Sequence, residues 1–172
     1  MGETVEIFDF SSASDEAAWQ PIGDPVMGGV SVSGFRVDPA GQGVFEGALS
    51  LERGGGFASV RSRPASMDLS AQDGLDIRVC GDGKRYRLRL RTRPDLDGVA
   101  YQVSFETEAE VWQSMRFPFD EFRPTYRGRP VPDAPRLDTG SITSFGWMIA
   151  DRQAGPFRLE IDWVRAYSGE AS

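Results

Sequence analysis

The chain has 172 residues, of which 40% are hydrophobic and 26% charged, so it fits one soluble domain with a real core. Nineteen basic against 26 acidic residues leave a net charge of −7, which excludes a general polyphosphate or nucleic-acid binder, since phosphate neutralisation needs clustered Lys and Arg. Histidine is absent and cysteine occurs once, at Cys80, which removes imidazole-based catalysis, internal disulfides and Cys-rich metal sites.

In chain order, the first apolar run is 5–10. The segment SASDEAAW follows as the one helix expectation, with Ser12 or Ser14 as cap, Asp15 and Glu16 in the first turn, and Pro21 as its stop. Strand-like segments then recur at short spacing: 30–37, 43–51, 56–62, 75–80, 85–92, 99–107, 111–117, 142–150 and 157–167. Turn signals such as Pro39-Ala40-Gly41 and Gly81-Asp82-Gly83 separate them. The pair 75–80 and 85–92 reads as a hairpin around Gly81 to Lys84. Residues 118–139 are proline-rich, have no clear period, and read as a long surface connection. With 20 glycines and 11 prolines, the pattern predicts an all-β chain: a single antiparallel β-sandwich of jelly-roll type over 1–172, ordered over about 5–167.

RYRLRLRTR is the most regular strand. Tyr86, Leu88 and Leu90 fall on one face, and Arg85, Arg87, Arg89, Arg91 and Arg93 on the other, with Arg78 expected on the same polar side. The bland reading is a solvated face paired with neighbouring carboxylates. The functional one is a basic face for an anionic ligand or an acidic protein, with Arg87 and Arg89 central.

The turn GDPVMGGVS offers Asp24 and Met27 beside Gly28 and Gly29, and no Lys-Ser/Thr follows to make a P-loop. Arg61, after a second glycine cluster, is a candidate ion-pair partner for Asp24. Exposed on a sheet face beside Gln102 or the arginines, Trp112 or Trp147 would form a carbohydrate platform. Glu160 and Asp162 sit two apart in LEIDWV, similar to the E-x-D-x-x-E motif of jelly-roll glycosidases, but Arg165 occupies the last position and removes one of the two carboxylates. Asp162 with Asp9 would be the start of a structural calcium site, which needs about six to eight oxygens; no other cofactor is expected.

Trp19, DPVMGGVS at 24–31 and FEGALSLERGGGFASVRS at 45–62 are joined by the later segments GLDIRVCGDGKRYRLRLRT, YQVSFET, FPFDEFRPTYRGRPV and GPFRLEIDWVRAY. In this order they resemble the complex I intermediate-associated protein family over nearly the whole chain. The resemblance implies a galactose-binding-like sandwich and a non-enzymatic assembly or chaperone-like role. The implied partners are protein subunits of a membrane-bound NADH:ubiquinone oxidoreductase, and no catalytic residues carry over. The alternative is a carbohydrate-binding module. No stretch approaches the ~20 apolar residues of a membrane span, and MGETVEIFDFSS does not read as a secretory signal, so the expected location is the cytoplasm.

Overall fold

A computed structural model describes residues 4–8, 19–23, 32–49, 58–62, 67–92, 99–126, 129–150, 153 and 155–169. The strands are β1 (Thr4–Phe8), β2 (Trp19–Gly23), β3 (Val32–Val37), β4 (Gly43–Leu49), β5 (Ala58–Ser62), β6 (Gly74–Cys80), β7 (Arg85–Arg91), β8 (Ala100–Glu106), β9 (Trp112–Pro118), β10 (Arg123–Tyr126), β11 (Arg129–Pro130), β12 (Ser144–Ile149) and β13 (Gly155–Tyr167). They form two antiparallel sheets. The first runs β3-β4-β13-β6-β9 with β1 also on β13, and the second runs β11-β10-β8-β7-β12-β5-β2.

Strict alternation explains why these segments are strands. Leu75, Ile77 and Val79 of β6 face inward, as do Tyr86, Leu88 and Leu90 of β7, and all six are fully buried. One cluster joins both inner faces, with Phe45, Leu159 and Ile161 from the first sheet against Phe105, Phe145 and Trp147 from the second. The Phe105 and Trp147 rings meet edge to face with centroids 6.3 Å apart.

Three expectations change. First, β6 and β7 do not form a hairpin. β6 lies between β13 and β9 in the first sheet, and β7 between β8 and β12 in the second, so residues 81–84 arch from one sheet to the other. Gly81 is needed there because a Cβ would run into the Thr107 side chain. Second, Trp19, the end of the expected helix, begins β2, and Pro21 lies inside that strand; β2 is an edge, where a missing N–H is tolerated. The rest of SASDEAAW lies outside the described residues. Third, residues 118–139 carry β10, which pairs with β8, and β11, the edge strand beyond it, where Pro130 is tolerated.

The closing strand shifts register between Ile161 and Trp163. Inward positions therefore pass from Leu159 and Ile161 to Val164 and Ala166, and the half-buried Trp163 and Arg165 turn outward.

Candidate functional site

The outer faces of the two sheets differ in how their charges are satisfied. On the first sheet, Glu46 takes Arg36 at 2.7 Å and Arg158 at 3.2 Å, and Arg158 also reaches Glu160 at 2.6 Å. Arg116 grips Asp76 with two hydrogen bonds of 2.7 and 2.9 Å and lies over the Tyr167 ring. Arg165 lies over Trp163. This face is a lattice of exposed pairs, each worth about 0.2–1 kcal/mol.

The outer face of the second sheet concentrates arginine instead. Register places Arg123, Gln102, Arg89, Gly146 and Arg61 in one line across β10, β8, β7, β12 and β5. Neighbouring strands are about 4.8 Å apart, so the Arg61 and Arg89 backbones stand roughly 10 Å apart with no side chain between them. Arg87 and Arg91 flank Arg89 along β7. At the far end of that strand Arg85 pairs with its cross-strand neighbour Glu106 at 2.9 Å, as the bland reading expected.

Arg61 and Arg89 are partly buried, and neither has a carboxylate partner among the described residues. Nη1 of Arg61 and Nε of Arg89 are shielded from solvent and find no acceptor there. Burial, then the neighbouring Arg91, Arg61 and Arg87, push Arg89 down to about 9. Burial and Arg91 push Arg61 down to about 10. Both shifts go in the direction expected of cations taken out of water beside like charges. Between them lies a recess of about 10 Å³, the room one water needs, lined by Ser59, Arg61, Arg89, Arg91, Ser144 and Gly146.

Other candidates fall elsewhere. Trp147 is fully buried in the core between Val60 and Leu88, so it offers no sugar platform. Trp112 belongs to the first sheet, away from Gln102 and the arginine line, and the Arg78 guanidinium lies over its ring at 4.9 Å. Arg78 therefore sits on the opposite side of the sandwich from the β7 arginines, because β6 and β7 are in different sheets. Asp162 lies at the β13 register shift, 3.8 Å from Arg78. Its proposed calcium partner Asp9 lies outside the described residues, as do Asp24, Met27, Gly28 and Gly29. Among the described residues no group of three or more His, Cys, Asp or Glu could hold a metal ion.

Gly146 and Ser144 were missed from sequence. A glycine inside the strand SFGWMI was the available signal, since it marks a gap or a close backbone approach. A Cβ at Gly146 would meet the Val60 carbonyl at 3.2 Å. A separate open groove of about 1310 Å³ runs along the β8–β10 edge, walled by Tyr101, Phe119, Phe122, Pro124 and Val131.

The family model of Complex I intermediate-associated protein 30 (CIA30) matches residues 8–161. Among curated relatives, the mitochondrial Complex I intermediate-associated protein 30 of Drosophila melanogaster is 27% identical over 95% of this chain and 62% of its own length. The Mus musculus protein of the same name is 25% identical over 99% of this chain and 58% of its own. The chain thus spans about three fifths of the length of these two relatives. Both are named mitochondrial, which overturns the cytoplasmic expectation. Among solved structures, the family 11 carbohydrate-binding module of a Clostridium thermocellum cellulosomal cellulase superposes with a TM-score of 0.73, covering 99% of this chain and 96% of the module. At 15% identity that likeness speaks for the jelly-roll, galactose-binding-like sandwich alone. No helix among the described residues is long and apolar enough to cross a membrane.

Proposed function

This chain belongs to the Complex I intermediate-associated protein 30 family, and from that premise we propose that it is a non-enzymatic assembly factor that binds protein subunits of a respiratory NADH:ubiquinone oxidoreductase. The observation that carries the docking face is the line from Arg123 to Arg61, in which the partly buried Arg89 and Arg61 have no carboxylate partner among the described residues, while the opposite face carries ion pairs. An isolated buried cation is expensive unless a counter-charge arrives. A surface held in that condition is suited to meeting one on a partner.

The same geometry favours protein over sugar. Carbohydrate sites rest on exposed flat aromatics, and here Trp147 is core and the Trp112 face is occupied by Arg78. Nor does the closing strand offer a free pair of carboxylates, since Glu160 is held by Arg158 and Asp162 faces Arg78.

Affinity capture from the native cell, followed by identification of bound proteins, tests the proposal. Subunits or intermediates of the NADH:ubiquinone oxidoreductase are the expected partners. Recovery of none, with retention on a polysaccharide column, would replace this reading with the carbohydrate-binding one.

A further inference from the structure

We infer that the recess between Arg61, Gly146 and Arg89 is a carboxylate-binding site, filled by an acidic side chain of a docking protein segment. The inference rests on the proposed role as a protein-binding factor and names the chemistry by which that face recognises its partner.

Several features point to it. Arg61 and Arg89 lie on alternate strands in one register line, and the strand between them carries Gly146, which leaves the space above it open to both guanidiniums. Buried N–H groups on each arginine have no acceptor among the described residues, and buried polar groups are normally satisfied. The recess holds about 10 Å³ and is lined by the hydroxyl-bearing Ser59 and Ser144 besides the arginines. That volume takes one oxygen of an anion. Arginine's planar fork matches a carboxylate in two-point contact. Arg89 is also flanked by Arg87 and Arg91 on its own strand, so an incoming negative charge meets a positive potential from several sides.

The test uses the whole chain and a synthetic Glu-Ser repeat peptide, with its Gln-Ser counterpart, acetate and inorganic phosphate as comparisons. Ionic strength is held constant with chloride, because screened surface charge would otherwise shift the readout. Melting temperature and direct binding are both measured. The Glu-Ser peptide should raise the melting temperature in a saturable way, since a ligand of the native state stabilises it, and the Gln-Ser peptide should not. Arg89→Gln and Arg61→Gln should each weaken Glu-Ser binding roughly tenfold or more, on the scale of a charge-assisted hydrogen bond. Arg89→Lys keeps the charge without the fork and should recover part of the affinity. Arg36→Gln, on the paired opposite face, should leave binding unchanged.

Equal binding by the native chain and a folded Arg89→Gln variant would overturn the inference, as would no response to the Glu-Ser peptide. A response to phosphate but not to the peptide would overturn the protein source of the anion. Failure here is distinguishable from failure of the assembly role. Capture of respiratory subunits that is indifferent to Arg61 and Arg89 leaves the role standing and removes the recess. A peptide response lost in those variants, without respiratory subunits in the capture, keeps the recess and removes the partner.

Discussion

The hydroxyl of Tyr86 donates a 2.9 Å hydrogen bond to Oδ1 of Asp82, and the two residues together clasp the backbone N–H of Arg158, at 3.1 Å from the hydroxyl and 2.9 Å from Oδ2. Tyr86 belongs to the second sheet, Arg158 to the first, and Asp82 to the arch between them, so the cluster ties the sheets together at one end.

Tyr86→Phe is therefore expected to lower unfolding stability by about 1 kcal/mol at neutral pH, the scale of one hydrogen bond, measured by urea denaturation. Burial first, and then the Asp82 charge, hold the phenol far above its ordinary value. The native state keeps this proton while the unfolded chain releases it above about pH 10. More protons on the native state means stability falls as pH rises. That alkaline loss should be present in the native chain and reduced in Tyr86→Phe. Parallel alkaline curves for the two would contradict the buried, neutral phenol.

Trp147 is fully buried against Phe105, so Trp147→Ala should cost about 3–5 kcal/mol. Its indole N–H finds no acceptor among the described residues. Trp147→Phe, which removes that N–H, should recover most of the loss. A change within about 0.5 kcal/mol for the alanine variant would mean a surface residue instead.

Arg89→Met should raise the melting temperature at neutral pH while weakening partner binding. Its charge is held in a partly buried site crowded by other arginines, and relieving such strain commonly stabilises by about 0.5–2 kcal/mol. The sign with pH is opposite to that of Tyr86. The folded arginine sits near 9, well below its ordinary value, so above about pH 9 the unfolded chain holds the extra proton. The native chain should then gain stability on the variant as pH rises. A lower melting temperature for Arg89→Met at neutral pH would show that the guanidinium is compensated.

Met27 remains a docking proposal drawn from the sequence DPVMGG. Met27→Asp should change folding by no more than about 0.5 kcal/mol and reduce capture of the partner, since the core of an interface disfavours charge. Unfolding of the variant would assign the residue to the core; normal folding with unchanged capture would move the binding surface away from this segment.

The alternation in RYRLRLR was enough to separate Tyr86, Leu88 and Leu90 from the arginines, and alternation in GLDIRVC likewise assigned Leu75, Ile77 and Val79 to the core. The number of short strands and the frequent turn residues between them made the sandwich legible, because a period of two dictates which face is buried whatever the partner. Pairing was not legible. Gly81-Asp82-Gly83 satisfies a tight hairpin and an inter-sheet arch equally well, so the local signal left open whether Arg78 shares a face with Arg89. Only long-range packing put β6 between β13 and β9 and sent Arg78 to the far side. The arginine recess is likewise a product of tertiary structure. Arg61, Arg89 and Gly146 are distant in sequence and become neighbours because β12 fits between β5 and β7, a choice made by burying Trp147, Val60 and Leu88 together rather than by any preference of the arginines themselves.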